Sequence, residues 1–389
     1  MRKSVLALAV AVATASFSSS AATVYENDGT SLEVYGRIQA VAYSKDAAQS
    51  GQPASGDGSV VGSGRLGFQM RSQLTEGIAG FANVEWDVSD SDSRETFDAR
   101  DLYVGADFGQ FGSVKAGRFR DALYQGVEST TDVFDDFGCN GQLGNDDRRD
   151  GSFMYSWSGY GVDFYASYAT AKDNEHIDGA FYHGYNEDDL DVKNSFAVAL
   201  GYTTPDVLFG PISVKAGYGY TQFQDDAFTV NGTPNDAEYD NYKQWAVALS
   251  WGDLAQGPYL AALYQARSFE MNTDVMINGK VGGKTFSFSE YTVSGAEGVA
   301  GYTFANGVTI LAGVEWMNIE SDDGDDIDVS SFTAPLYVNY KVTPNFNVWA
   351  EGRINLDTYD EKNYSFKMIT KGAYNNMQDV VSVGARYTF

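Results

Sequence analysis

Few residues in this sequence have side chains suited to catalysis. It contains two histidines, His176 and His183, and a single cysteine, Cys139. Both histidines lie in an acidic stretch that offers no third ligand at a fixed spacing, whereas a metal site needs several ligands. The sequence also lacks the G-x-S-x-G turn that presents a nucleophilic serine. We therefore expect no enzymatic activity, no cofactor and no metal site.

The acidic run D-D-G-D-D-I-D at 322–328 has the oxygen atoms that calcium prefers. It lacks the ordered spacing of an EF-hand loop and its distal glutamate. The run therefore favours a solvated acidic loop, or weak divalent bridging to lipopolysaccharide, over a built calcium site. The lone Cys139 excludes a disulfide framework, and we expect a free thiol without a role.

The chain is strongly acidic, with 53 Asp and Glu residues against 26 Lys and Arg and a formal net charge of −27. Nucleic-acid binding depends on basic side chains that displace counterions from phosphates. This charge therefore excludes nucleic acid as a partner. The 26 tyrosines, 24 phenylalanines and 42 glycines, with only 7 prolines, fit strands and tight turns instead.

The N-terminus has the three parts of a secretory signal peptide. Arg2 and Lys3 precede an apolar stretch at 5–17, which is followed by the small residues S-S-S-A-A at 18–22. Residues 1–22 are therefore predicted to be a cleaved signal, which leaves 23–389 as a single domain. No later run of ~18 apolar residues occurs, so membrane-spanning helices are not expected.

The elements that position the remaining charged residues are strands, because apolar and polar residues alternate at period two along the whole chain. In L-E-V-Y-G-R-I-Q-A-V-A-Y (32–43), Val34 and Ile38 share one face and Arg37 lies on the other. This pattern predicts sixteen strands, near 31–43, 62–73, 77–88, 99–108, 112–119, 151–158, 160–170, 193–203, 210–222, 241–252, 257–269, 289–304, 307–319, 331–341, 344–357 and 378–389.

The connections between these strands alternate strictly between two classes. One class is short, as in L-T-E-G and F-A-N-G. The other is long and polar, near 44–61, 89–98, 120–150, 171–192, 223–240, 270–288, 320–330 and 358–377. Strict alternation places every short turn at one end of the sheet and every long loop at the other, as in bacterial outer-membrane barrels.

The charged side chains decide which strand face meets water. Burying ions such as Arg37, Glu351 and Arg353 in a dry core would cost several kcal/mol each. The polar face must therefore line a wet lumen, and the apolar face then meets lipid. The last strand, V-G-A-R-Y-T-F at 383–389, has one wholly apolar face. We expect it to pair with the first strand and close the cylinder.

With these motifs, the chain resembles a general, non-specific porin of the Gram-negative outer membrane, of the trimeric, sixteen-stranded type. The resemblance covers the mature chain and is carried by L-E-V-Y-G-R (32–37), G-R-L-G-F (64–68), V-K-A-G-R (114–118), T-D-V-F-D-D-F-G (131–138) and the terminal strand. It implies an all-β fold: a 16-stranded antiparallel transmembrane β-barrel with short periplasmic turns, long extracellular loops and a third loop, 120–150, folded into the lumen. It also implies export through the periplasm to the cell outer membrane and assembly as a homotrimer.

In such porins, acidic residues of the third loop face basic residues of the wall across a constriction. The resemblance assigns the acidic side to Asp132 and Asp136, with Asp135 beside them. It assigns the basic side to arginines of the wall, namely Arg37, Arg65, Arg118 and Arg148, with Arg71 as a helper and Arg149 competing with Arg148. The chain departs from the family at Asp135, which replaces a proline. It departs again at Arg118, which needs an irregularity near Gly117 to point inward.

The resemblance implies a water-filled channel for passive diffusion of small hydrophilic solutes and ions. The acidity of the loops favours a preference for cations. Two alternatives stay open: a barrel that acts chiefly as an adhesin or structural protein, and a more solute-selective channel. Outer-membrane lipid and lipopolysaccharide are the expected partners, and phage or host surfaces are further candidates for contact with the loops.

Overall fold

The computed structural model describes residues 21–44, 60–89, 97–144, 148–180, 189–224, 228–230, 233–235, 239–278, 285–323, 328–356 and 379–389. The predicted signal segment up to residue 20, His183 and residues 324–327 of the acidic run lie outside these ranges. Within them, the chain forms twenty strands, one short α-helix and two single-turn 3-10 helices.

The strands are β1 (Ala22–Asn27), β2 (Thr30–Tyr43), β3 (Val60–Thr75), β4 (Ile78–Ser89), β5 (Asp98–Asp107), β6 (Ser113–Arg120), β7 (Arg148–Gly159), β8 (Val162–Ala169), β9 (Lys172–His176), β10 (Asp189–Thr203), β11 (Ile212–Phe223), β12 (Phe228–Val230), β13 (Thr233–Asn235), β14 (Tyr239–Gly252), β15 (Gly257–Asn278), β16 (Thr285–Thr303), β17 (Val308–Ser321), β18 (Asp328–Thr343), β19 (Phe346–Asn355) and β20 (Val380–Thr388). The helix α1 spans Ala122–Gly126, and the 3-10 helices span Gly109–Phe111 and Glu128–Thr130.

Sixteen of the described strands, β2–β8, β10, β11 and β14–β20, pair antiparallel in a closed ring. The last strand, β20, pairs with β19 and also with β2, where Tyr43 lies opposite Ser382. Backbone hydrogen bonds of 2.8 and 3.0 Å between Gly36 and Phe389 complete the closure. Because hydrocarbon offers no partners to an open sheet edge, this closure lets the sheet lie in a membrane. The predicted strand number and the sealing role of the last strand are confirmed.

The sequence pattern did not predict β1, which forms a hairpin with β2. The two strands are joined at Asp28 and Gly29, whose φ angles are 48° and 74°. An Asp-Gly pair suits a two-residue turn with positive φ at both positions, so the dipeptide was the available signal. Strand β1 pairs with the part of β2 that β20 does not reach, since Ala22 lies opposite Val34 and Phe389 bonds to Gly36.

The two faces of the barrel differ sharply in composition. Large apolar side chains such as Ile38, Leu336 and Val383 are exposed on the outer face, at 65%, 47% and 56%. Polar side chains such as Glu351 and Ser382 point inward and are buried beneath other parts of the chain. The predicted arrangement, with an apolar outer face and a polar interior, is confirmed. No helix among the described residues is long and apolar enough to cross a membrane.

Several of the long connections contain more strand than the sequence pattern predicts. The predicted loop 270–288 is largely strand, because β15 continues to Asn278 and β16 begins at Thr285, with a register shift between Glu270 and Val275. These segments are rich in Val, Ile, Phe and Thr, which favour strands. Strand β9 lies within the predicted loop 171–192, and the β12–β13 hairpin lies within 223–240.

We expect Leu336→Arg, on the outer face near the middle of β18, to destabilise the barrel in lipid by about 2–4 kcal/mol, since a lipid-facing cation is costly at that depth. Asn339→Arg on the same strand places the charge on the lumen face and is the matched control. Chemical unfolding in liposomes measures both variants. Equal losses from the two variants would contradict the assignment of the faces.

Candidate functional site

The third long connection lies between β6 and β7, and its described residues 121–144 fold into the barrel and are called loop 3 here. Its helix α1 begins at Asp121, whose side chain accepts a hydrogen bond from the backbone N–H of Tyr124 at 3.0 Å. Such an N-cap satisfies a donor that the short helix leaves unpaired. Four of the five helix residues are buried, namely Ala122, Leu123, Tyr124 and Gly126.

The wall beneath α1 is built of small residues, which lets the helix lie close to the sheet. Leu123 packs in a cluster with Leu263 of β15 and with four wall alanines of β10 and β14, namely Ala197, Ala199, Ala246 and Ala248. A Cβ added at Gly217 or Gly219 of β11 would lie 2.7 or 2.9 Å from the Leu123 side chain. A larger residue at either glycine would therefore push the helix off the wall.

Wall carboxylates on β17 and β19 hold the backbone of loop 3. Glu351 of β19 accepts hydrogen bonds from the N–H groups of Asp135, Asp136 and Phe137, at 3.2, 2.8 and 2.9 Å. Glu315 of β17 accepts from the side-chain amide of Asn140 at 2.9 Å. These glutamates are almost completely buried under the loop, and a buried carboxylate is tolerated because its oxygens receive donors.

The central part of loop 3 lies on β15 and β16. Glu297 of β16 accepts from the backbone N–H of Gly141 at 3.0 Å, and Gln265 of β15 donates to the Gly141 carbonyl at 2.8 Å. A Cβ at Gly295 would lie 2.0 Å from that carbonyl oxygen. The two backbones are therefore in direct contact, which only glycine at 295 permits.

The three predicted loop acids lie at two places along loop 3. Asp135 forms an ion pair with Arg386 and accepts from the Tyr337 hydroxyl at 3.0 Å. Asp136, next to it, accepts from the Ser382 hydroxyl at 2.8 Å. Both acids therefore also fix the loop to the wall.

Asp132 makes a separate set of contacts within the loop. Its carboxylate accepts from the Tyr124 hydroxyl and from the Cys139 thiol, the latter at 3.2 Å, and lies 3.8 Å from the Arg120 guanidinium. Cys139 adopts a positive φ of 74° and has an oriented thiol, so it is part of the loop's internal hydrogen bonding. Burial, and then the charge of Asp132, raises the pKa of Cys139 well above its usual value.

Arginines on the wall of β2, β3, β5 and β20 form a basic group. Arg37 and Arg65 are cross-strand neighbours, and Arg37 interacts electrostatically with Arg65, Arg386, Asp135 and Arg100. The structure therefore brings Arg37 and Arg65 together with Asp135 of loop 3. Further along the wall, Arg148 binds Asp101 at 3.0 Å, and Arg120 and Arg100 lie near it.

Two of the predicted arginines lie apart from this group. Arg71 forms an ion pair with Asp107 at 2.6 Å, toward the short turns. Arg118 is the cross-strand partner of Leu102, which is 48% exposed on the outer face, and it lies 3.6 Å from Asp150.

The pairing of β6 is irregular at Gly117, the position where an irregularity was needed for Arg118 to point inward. The pairing with β7 shifts between Gly117 and Phe119, and Gly117 has a φ of 140°. The shift leaves Phe119 buried against α1, whereas Arg118 keeps the face of Leu102. The competing Arg149 is buried and donates to Thr221 at 3.2 Å and Tyr242 at 2.7 Å, away from the loop acids.

Sequence analysis missed Arg100, which is central to the basic group. Arg100 donates to Glu85 at 3.1 Å and to Asp87 at 2.6 Å on the lumen face. Strict alternation would place it with Leu102 on the outer face. The pairing of β4 and β5 shifts between Glu85 and Trp86, and this bulge turns Arg100 inward. Only the odd clustering of charge in D-A-R-D (98–101) could have indicated it.

The acidic run after β17 has a local structural role where the structure describes it. Asp323 accepts from the backbone N–H groups of Ser289 and Glu290, both at 2.8 Å, and from the Ser289 hydroxyl. The Ser289 hydrogen bonds lower the pKa of Asp323. Among the described side chains, no group of three His, Cys, Asp or Glu residues is placed to hold a metal ion.

A closed antiparallel barrel that is apolar outside, polar inside and crossed by one of its own loops is the architecture of an outer-membrane channel. A family model described as Gram-negative porin matches residues 7–360, and the chain belongs to this family. The chain is 29% identical to the outer membrane porin PhoE of Escherichia coli (strain K12), over all of both chains. The protein is therefore an outer-membrane porin and not an enzyme.

Solved structures agree with this fold. OmpF of Salmonella typhi, in a complex with daunomycin, aligns with a TM-score of 0.68 at 19% identity, over 94% of this chain and 99% of that one. An anion-selective porin from Comamonas acidovorans aligns with a TM-score of 0.61 at 17% identity, over 92% of this chain and all of the other. At these identities the likeness establishes the barrel architecture alone.

We expect Glu351→Gln to weaken the docking of loop 3 by about 1–3 kcal/mol, because an amide NH2 replaces one carboxyl oxygen and leaves a buried backbone N–H without its acceptor. Chemical unfolding in micelles and the open-channel noise of single channels measure the effect. Glu33→Gln is the matched control, since Glu33 shares the lumen face but lies toward the short turns, opposite Gln69. An unchanged Glu351→Gln variant would show that the loop is held by other contacts.

Burial, and then the neighbouring Asp135, raises the pKa of Asp136 above its ordinary 3.8. A raised pKa means that the docked loop binds the proton better than the unfolded chain, so docking weakens as pH rises from 3.8 through the raised value. We expect Asp136→Asn to remove this loss, because its amide stays neutral. Unfolding of both proteins across that pH window, followed by Trp fluorescence, provides the test. Parallel pH profiles would rule out Asp136 as the titrating group.

Proposed function

We propose that this porin is a water-filled channel for passive diffusion of small hydrophilic solutes and ions, and that it is narrowest between loop 3 and the arginines of the wall. The single observation that carries the proposal is the contact of loop 3 with most of the lumen wall except the part that bears Arg65 and Arg100. The loop contacts β8, β10, β11 and β14–β20 and reaches Tyr43 of β2, whereas Arg37, Arg65 and Arg100 lie elsewhere on β2 and on β3 and β5. The path for solutes then runs between the loop and the arginines.

The charges on the two sides of this path act as a filter. Asp135 of loop 3 is negative and Arg37 is positive, so a field crosses the lumen. A dipolar solute gains by orienting in such a field, whereas an apolar solute must displace water that the charges hold. The expected result is free passage of small polar solutes and slow passage of apolar ones of the same size.

We further propose a preference for cations. Carboxylates on the same wall offset most of the arginine charge: Arg65 and Arg100 bind Glu85 and Asp87, and Arg148 binds Asp101. The whole chain has a net charge of −27, so cations are concentrated at its mouths. The anion-selective neighbour from Comamonas acidovorans indicates that the barrel alone does not set the sign.

We also propose a homotrimer, as the resemblance to trimeric porins implies, with outer-membrane lipid around it. Contacts with lipopolysaccharide, phage or host surfaces would fall to the long loops, much of which lie outside the described ranges. Conductance that appears in groups of three equal steps would support the trimer, and single isolated steps would argue for a monomeric barrel.

The reversal potential in a potassium chloride gradient tests the preference for cations. We expect potassium to be favoured over chloride, and Arg37→Gln to increase this preference because it removes a positive charge from the narrowest part. Arg71→Gln is the control, since Arg71 is ion-paired with Asp107 toward the short turns. Chloride preference in the unmodified protein would overturn the proposed selectivity, and equal shifts in the two variants would remove Arg37 from the constriction.

A further inference from the structure

A second segment of the chain, residues 177–180 after β9, also lies inside the barrel. The sequence pattern placed it in an external loop, but Ile177 is completely buried and Ala180 is 7% exposed. Both pack in an apolar cluster with inward side chains at the long-loop ends of the neighbouring strands: Val192, Phe223, Tyr239, Tyr242, Phe269, Met271, Tyr291, Val293 and Ile319. Large apolar side chains that face an aqueous lumen are unfavourable unless a segment of chain covers them.

Two wall side chains bind the backbone of this segment. Arg267 of β15 donates to the Asp178 carbonyl at 2.8 Å, and the Tyr291 hydroxyl of β16 donates to the Gly179 carbonyl at 3.1 Å. Arg267 is itself held in place, because it donates twice to the Gln244 side chain, at 2.9 and 2.6 Å, and lies over the Tyr242 ring. A buried guanidinium with these partners fixes the segment in one position.

The close approach of segment and wall depends on Gly179. Its φ is 83°, which side chains rarely adopt, and an added Cβ would lie 3.1 Å from a methyl carbon of Val293. A β-branched residue at 179 would therefore be strained and would also collide with the wall.

The segment is linked to loop 3 through the same wall residues. The Gln244 side chain accepts both hydrogen bonds from Arg267 through its oxygen. Its amide nitrogen also donates to Glu128 of loop 3 at 2.9 Å. Leu143 of loop 3 belongs to the same apolar cluster as Ile177. The two in-folded segments therefore share one buried support on β14–β16.

We propose that residues 177–180 are a second size-selecting element of the channel. Together with loop 3, they fill the outer mouth above β11–β17 and confine solutes to the part of the lumen lined by Arg37, Arg65 and Arg100. This inference rests on the proposed channel function, and it adds a determinant of solute size in a connection other than loop 3.

Gly179→Val tests the proposal, because the larger side chain displaces the segment from Val293. Gly257→Val is the matched control: Gly257 has a φ of 87°, similar backbone strain, and no atom within 4 Å of an added Cβ. We expect single-channel conductance to rise by about 1.5-fold or more in Gly179→Val, since pore cross-section sets flux. Liposomes should also admit larger oligosaccharides than the control admits.

Tyr291→Phe is a gentler variant that retains the ring and removes the donor to Gly179. We expect a smaller rise in conductance or in open-channel noise, and none in Tyr302→Phe, whose ring lies on the outer face of the same strand. Heat-dependent gel mobility verifies that each barrel is folded. The proposal is overturned if Gly179→Val folds and has the same conductance and sugar cut-off as its control. If Gly179→Val does not fold, the same result for folded Tyr291→Phe overturns it. An unmodified protein that conducts no current would instead overturn the channel function itself.

Discussion

A segment of chain that enters a barrel must find partners for its backbone N–H and C=O groups, and the lumen wall has to supply them. Glu351, Glu315 and Glu297 provide the acceptors for loop 3, and Gln265 provides a donor. Without these side chains, the buried backbone of the loop would be left without partners, at a cost comparable to several lost hydrogen bonds. The position of loop 3, and with it the shape of the channel, depends on this match.

The same need for backbone partners determines how the segment 177–180 lies in the outer half of the lumen. Arg267 and Tyr291 give the segment 177–180 its partners, and glycine at 179 and 295 allows backbone to lie directly on the wall. The two in-folded segments thereby cover much of the lumen wall. The part that bears Arg65 and Arg100 keeps its arginines, whose charges are offset by carboxylates on neighbouring strands. The channel is thus lined by a fixed polar surface on both sides, and the apolar outer face leaves the lipid undisturbed.

Alternation of side chains was sufficient to predict the barrel, its closure by the last strand and the inward direction of Arg37, Arg65 and Glu351. It failed where a bulge breaks the alternation, because one inserted residue turns a side chain to the other face. Arg100 points inward for this reason. Arg118, which the family resemblance placed in the constriction, instead keeps the outer face of Leu102. The inward fold of 177–180 depends on contacts between residues far apart in sequence, and no local pattern reports such contacts.

Attachment of a charged thiol reagent to an introduced cysteine tests the central claim most directly, namely that Arg37 lines a conducting lumen and Arg118 does not. The natural Cys139 is the only cysteine of the chain, so the unmodified protein provides the baseline for the reagent. In planar bilayers, a sulfonate reagent should lower the conductance of Arg37→Cys and leave that of Arg118→Cys unchanged. A block at position 118, or none at position 37, would contradict this account of the pore.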